Sequence, residues 1–137
     1  MNVTGETDLG KLLASIQPEL AEQEYVFACL GKNSSISINE LAPLGIFNEK
    51  EGVTVIVLKA TADALGVAYH GVFRCITLKV HSSLEAVGLT AAVSGVLTTN
   101  GISANVVAAY YHDHIFVPKA QADMALSCLL KLAVDNQ

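Results

Sequence analysis

Basic residues are scarce in this chain. Eight Lys and Arg stand against 13 Asp and Glu among 137 residues, giving a net charge of −5. A nucleic-acid surface needs a stripe of positive charge to neutralise phosphates. Here the cations are scattered singly, which excludes that class and disfavours an anionic membrane surface as well. An RNA-reading sheet would also carry stacked aromatics with basic neighbours; Phe73 has Arg74 beside it, but the return strand offers only Phe116, and the sheet is mostly aliphatic. Cysteine is sparse too. Cys29, Cys75 and Cys128 are odd in number and widely spaced, so they form no disulfide framework. Each lies in an apolar run, where a free thiol packs as a small hydrophobe. The expectation is three buried, reduced cysteines in a reducing compartment.

No apolar run reaches the roughly 18–20 residues of a membrane helix. The opening MNVTGETDLGKLL has neither the basic nor the apolar region of a secretory signal. A cytoplasmic location is expected. No nucleophile elbow, phosphate loop or dinucleotide fingerprint is present. Gly95–Gly101 lacks the Gly-Lys-Ser/Thr ending of a phosphate loop. The expectation is no catalytic residue and no cofactor, although a Cys–His or Ser–His pair assembled in space leaves no mark on a sequence.

What the chain does have is apolar material: 52% hydrophobic against 15% charged residues. That suits a packed domain, or two packed halves, rather than disorder. Leu9, Leu12, Leu13, Ile16 and Leu20 have helical spacing over Thr7–Leu20, with Pro18 as its terminator. Tyr25–Leu30, Val53–Leu58 and Val72–Val80 read as strands. Residues 31–52 are rich in Gly, Asn, Ser and Pro and read as loop, with room for one short irregular strand near Ile36–Ile38 or Ile46–Phe47. Ala60–Leu65 and Val87–Thr99 read as helices, the second stopped by Asn100-Gly101. Ser103–Tyr111, a turn at His112-Asp113, and His114–Val117 form a hairpin. Pro118 then opens a last helix at the position proline tolerates.

The chain repeats itself. Val57-Leu-Lys-Ala-Thr-Ala-Asp63 and Val117-Pro-Lys-Ala-Gln-Ala-Asp123 share five of seven residues at an offset of 60. Upstream, the helix at 7–17 is expected to match that at 87–99, and the strand at 25–30 that near 103–110. Each half then reads helix, strand, strand, helix. The strand at 72–80 completes one half, opens the other, or does both. The expected domains are an N-terminal half, 1–70, and a C-terminal half, 71–137. The expected fold is α+β and ferredoxin-like, βαββαβ, with antiparallel sheet and helices on one face. The uncovered sheet face or edge must be hidden, so a homodimer is expected.

The second half resembles the ACT domain, a regulatory small-molecule-binding module. The resemblance rests on the strand Ile76-Thr-Leu-Lys-Val80, the loop His81–Ala86, the helix start Val87-Gly88-Leu89, the Asn100-Gly101-Ile102 helix end, and Ser103-Ala104-Asn105-Val106. The return stretch Asp113-His-Ile-Phe-Val-Pro118 is similar to that in the regulatory modules of aspartate kinases. The match is clear over about 72–131 and weaker over 7–70. Two departures stand out: the loop lacks an Asp-Arg-Pro-Gly type sequence, and the expectation is that no kinase, dehydrogenase or hydroxylase domain accompanies it.

The resemblance implies a ligand, an amino acid above all, held at Ser82, Ser83, Glu85, Val87, Gly88, Leu89, Ser103, Asn105 and Val106. The chemistry is plausible for those residue types. A helix start offers free N–H groups and a dipole to a carboxylate. Glycine lets a ligand approach the backbone. Ser103 and Asn105 offer hydrogen bonds, and Glu85 suits an α-amino group. The same residues also have a purely structural reading: Gly88 eases helix packing, the serines cap, and Asn105 satisfies a turn. A related first-half site is expected near Asp8, Leu9 and Gly10. His112 and His114 share a strand face and could ligate a metal only with further ligands such as His70, His81 or Asp123. No spacing fixes those, so the reading is a solvated turn and no metal. The expected function is a non-catalytic amino-acid sensor acting on a partner protein. The alternatives are an interaction module with a degenerate site and a small unrecognised enzyme.

Overall fold

The computed structural model describes residues 8–80 and 87–137. The elements run α1 (Leu9–Ala14), β1 (Pro18–Leu30), α2 (Ile38–Leu41), β2 (Gly45–Asn48), β3 (Val53–Leu58), α3 (Lys59–Leu65), β4 (Phe73–Leu78), α4 (Leu89–Thr99), β5 (Asn105–Ala108), β6 (Asp113–Pro118) and α5 (Ala122–Asp135), with a 3-10 turn at Lys119–Gln121. The contacts divide the chain into two compact units. One is Glu22–Phe73. The other joins the described residues up to Ala21 to those from Arg74 onward. The sequence division at 70/71 and this one differ in where residues 8–21 and 71–73 go.

In the Glu22–Phe73 unit the strand order is β2-β3-β1, antiparallel throughout, with Tyr25 opposite Leu58 and Phe47 opposite Thr54. Alternation sends Val26, Ala28 and Leu30 of β1 and Val55 and Val57 of β3 to one face, where Leu41 of α2 and Ala62 of α3 close the core. In the other unit β6 lies between β4 and β5, and Pro18–Ala21 of β1 borders β4. Asn105 lies opposite Phe116 in the antiparallel β5–β6 pair. Ile76, Leu78, Ile115 and Val117 meet Leu89, Val93 and Leu97 of α4, Ala125 and Leu129 of α5, and Leu12, Leu13 and Ile16 around α1. Each unit thus places its helices on one sheet face, the ferredoxin-like arrangement expected from the sequence.

Four expectations change. The first helix is short: Asp8 caps it, Oδ1 accepting from Lys11 N at 3.0 Å, and it stops at Ala14. Gln17 takes a left-handed φ of 41°, and Pro18 opens a strand instead of ending a helix. Pro118 likewise ends β6 rather than starting α5. Second, the stretch 31–52 holds α2, capped reciprocally: Ser37 Oγ accepts from Glu40 N at 3.1 Å and Glu40 Oε1 from Ser37 N at 3.4 Å. The repeat is therefore β1-α2-β2-β3-α3 against β4-α4-β5-β6-α5, and α1 has no counterpart in it. Third, the β5–β6 turn closes with Ala109 N donating to His112 O, which leaves Asp113 inside β6. Fourth, Cys75 is buried, but Cys128 is half-buried and Cys29 exposed, because alternation puts Cys29 on the face opposite Ala28 and Leu30.

Candidate ligand-binding sites

In the C-terminal unit α4 begins at Gly88. Its φ is +95°, in the left-handed region, and among the described residues no side chain caps the helix start. The Gly88 carbonyl accepts from Ala92 N at 2.9 Å. First-turn N–H groups of a helix, with its dipole, favour an anion. The bare Gly88 α-carbon also seats Leu9: a β-carbon would lie 3.0 Å from Leu9 Cδ2. Beside it Val87 is exposed, while the Leu89 side chain is buried in the core. Leu89 therefore offers a ligand its main chain only. Ser82, Ser83 and Glu85 lie outside the described residues.

Ser103, Asn105 and Val106 are not brought to this point. They follow the C-terminal end of α4, and its 11 residues span about 16 Å. Ser103 and Asn105 are exposed, Val106 is half-buried, and Asn105 Nδ2 donates to Phe116 O at 3.4 Å. His112, not among the expected contacts, reaches the end of β4, with Nδ1 3.4 Å from Val80 O. His114 Nδ1 pairs instead with Thr77 Oγ1 at 2.9 Å. Burial, helped by the His112 charge, holds His114 below the usual histidine range, and Asp113 opposes this. The two rings thus have different partners. Among the described residues no group of three or more His, Cys, Asp or Glu is placed to hold a metal ion. Burial pushes the Cys75 thiol up, against a hydrogen bond with Thr77.

The corresponding place in the Glu22–Phe73 unit is a hollow of about 350 Å³. The end of β1 gives Leu30, the following segment gives Gly31, Lys32, Ser34 and Ile36, the start of α2 gives Ile38, and the β2–β3 turn gives Glu49, Gly52 and Val53. Its walls are aliphatic, and its rim carries one cation, Lys32, and one carboxylate, Glu49. Glu49 Oε1 accepts from Thr54 Oγ1. Ser34 Oγ accepts from Ile36 N at 3.2 Å and shapes the wall. Gly52 makes the turn possible. Its φ is +156°, and a β-carbon there would lie 2.7 Å from Leu30 O and 2.8 Å from Cys29 Sγ. The start of α2 is already satisfied by Ser37 and Glu40, so charge recognition here falls to side chains rather than to a helix end.

This hollow was missed in the sequence because 31–52 reads as loop. Two signals mark it: Ser37-Ile-Asn-Glu40, a capping box, and the turn Glu49-Lys-Glu-Gly52 between apolar stretches. The expected first-half site at Asp8, Leu9 and Gly10 lies in the other unit, where Asp8 caps α1 and Leu9 packs on that core.

Known proteins share this arrangement. A Vibrio cholerae protein of unknown function, described as a possible transport protein, is 45% identical with a TM-score of 0.82, over 91% of this chain and 95% of that one. An Agrobacterium tumefaciens protein is 20% identical with a TM-score of 0.68, over 85% and 87% of the two chains. The ligand-free regulatory subunit of Thermus thermophilus aspartate kinase is 10% identical with a TM-score of 0.63, over 86% and 97%. The last two show likeness of fold alone. No curated protein matches the chain. The ACT-domain model matches residues 4–74 and a second ACT-domain model matches 72–131. The chain belongs to the ACT-domain family, with two such domains in tandem.

Proposed function

We propose that this protein is a regulatory module that binds a free amino acid without transforming it and passes its occupancy to a partner protein. The observation that carries the reading is the hollow beside α2. It has the size for a small metabolite and holds Lys32 and Glu49 at its rim over an aliphatic wall. An amino acid brings a carboxylate and an ammonium at one end and a side chain at the other, and this pairing of charges with an apolar surface matches it. The family supports ligand binding in a regulatory role. Among structures of like fold, E. coli aspartokinase III was solved with aspartate and ADP. In the C-terminal unit the reading assigns the ligand the main chain at Val87–Leu89 together with Ser82, Ser83 and Glu85. Ser103, Asn105 and Val106 belong to a separate contact at the far end of α4.

A thermal-shift screen of the full chain against the twenty amino acids, at millimolar concentration, tests this. Ligand that binds only the folded state raises Tm in a dose-dependent way. One amino acid is expected to do so, and Lys32→Ala and Glu49→Gln are expected to remove most of the shift. Folded protein that shifts with none of them overturns the reading in favour of an interaction module. A shift that survives both variants moves the site away from the hollow.

A further inference from the structure

We propose that a second hollow of the Glu22–Phe73 unit, where Ala68–His70 run past Phe27–Cys29 of β1, is a ligand site of its own and takes a neutral purine base or nucleoside. Its volume is about 410 Å³, within the roughly 300–1,000 Å³ of small-ligand pockets. Cys29 and Thr54 reach it from the sheet face opposite the core, and none of its lining residues also lines the hollow beside α2.

Rings wall it. Phe27, Tyr69 and His70 all line it, in a chain with four Phe, four Tyr and no Trp. Two of these rings are held in place without a ligand. Phe27 stands edge-on to Phe73, with centroids 5.3 Å apart and planes at 74°. Tyr69 packs on the core, and its hydroxyl donates to Asp63 Oδ1 at 2.7 Å. Such fixed rings lose little freedom when a flat ligand stacks on them, and every nucleobase has a face that can stack. His70 is exposed and has no hydrogen-bond partner among the described residues. Ala68 is small and exposed, which leaves the space between the rings open.

The lining selects against charge. It contains no Lys, Arg, Asp or Glu. The charged ends of an amino acid, or a phosphate, would enter without an ionic partner, a cost that a neutral ring escapes. The Thr54 and Tyr69 hydroxyls already donate to Glu49 and Asp63. The polar contact falls instead to main chain. Glu49 and Gly52 exchange hydrogen bonds across the β2–β3 turn, and bonding direction alternates along an antiparallel strand. Thr54 and Ile56 therefore bond toward β2, and Val53, Val55 and Val57 toward β1. Val55 lies opposite Ala28, so the N–H and C=O of Cys29 point away from β3. The sheet order puts β4, and the segment leading into it, on that side. Among the described residues no main-chain hydrogen bond joins Cys29 to Ala68, Tyr69 or His70. Cys29 thus presents a donor and an acceptor together. A purine edge presents the complement, as N6 and N7 of adenine do.

The test is calorimetric titration of the full-length protein with adenosine and with guanosine, together with N-ethylmaleimide alkylation of Cys29 followed by peptide mass. One nucleoside is expected to bind and to slow alkylation of exposed Cys29, about tenfold at about ten times its Kd, while half-buried Cys128 reacts as before. Ala68→Trp fills the hollow and is expected to abolish binding, with far-UV circular dichroism and Tm showing that it folds. The alkylation rate is read on the unaltered sequence, so it decides the matter even where that variant does not fold. Lys32→Ala, which alters the other hollow, is expected to leave nucleoside binding unchanged, so this result stands apart from the amino-acid reading. Folded protein that binds neither nucleoside overturns the proposal. So does binding that leaves Cys29 alkylation unslowed or survives in folded Ala68→Trp, and so does AMP binding more tightly than adenosine.

Discussion

Leu9 packs against the bare α-carbon of Gly88: a methyl group added there would stand 3.0 Å from Leu9 Cδ2. Gly88 also holds a φ of +95°, which side chains resist. Two penalties are thus superposed at one position. Gly88→Ala is expected to cost about 1–3 kcal/mol of stability. Adding Leu9→Ala should relieve only the steric share, so the two losses will be less than additive. Urea denaturation of the double-mutant cycle reads this directly.

Gly52 is the sharper case. A β-carbon there meets the backbone oxygen of Leu30 and the Cys29 sulfur, at 2.7 and 2.8 Å. A backbone oxygen cannot swing aside. Gly52→Ala should cost about 2–4 kcal/mol, from strain and overpacking together. Cys29→Ala in the same chain should recover little, because the Leu30 carbonyl remains. Equilibrium unfolding of the three variants checks the order.

Arg74 on β4 donates from Nε and Nη2 to the Ala21 carbonyl on β1, at 2.9 and 2.7 Å. A forked donor on one acceptor ties the start of β1 to β4. Arg74→Met removes a charged hydrogen bond and leaves the carbonyl short of a partner, a loss of about 1.5–3 kcal/mol. Arg74→Lys should restore only part of it, since an ammonium cannot reproduce the planar fork. Hydrogen exchange of the amides around Ala21 is the local readout.

His114 is held below the usual histidine range, first by burial and then by the His112 charge. The folded state therefore binds its proton less readily than the unfolded chain. The sign follows: the unfolded state is favoured as pH falls from about 6.5, the unfolded value, toward the lower folded value, and nothing changes above that window. Tm should drop between neutral and mildly acidic pH. His114→Gln keeps a hydrogen-bonding group near Thr77 and should flatten that part of the profile. An unchanged slope in His114→Gln assigns the acid loss to other groups.

Much of the fold was legible because it follows from short-range pattern. The β3, β4 and β6 stretches carry branched and aromatic residues, and α4 and α5 carry apolar stripes. The Lys-Ala-x-Ala-Asp repeat marked the strand-to-helix junction in both halves. Gly88 was marked as the start of α4. The site was less legible. Residues 31–52 have loop composition, yet a four-residue helix held by Ser37 and Glu40 forms there, and the hollow with Lys32 and Glu49 depends on it. Ser103 and Asn105 follow the C-terminal end of α4, while Gly88 stands at its start.

By itself, then, the sequence determined the class of the molecule: α+β, ferredoxin-like, duplicated, a member of the ACT-domain family. Period, glycine placement and internal similarity are local properties, and local sterics enforce them. Only the tertiary structure decided which pieces pair. Pro18–Ala21 has weak strand propensity and becomes strand because β4 and Arg74 give its backbone partners. The helix at Leu9 joins the C-terminal unit because Leu12, Leu13 and Ile16 find that core. Ladder hydrogen bonds and core burial come from residues far apart in the chain, and they outweigh the small differences in propensity that a sequence displays.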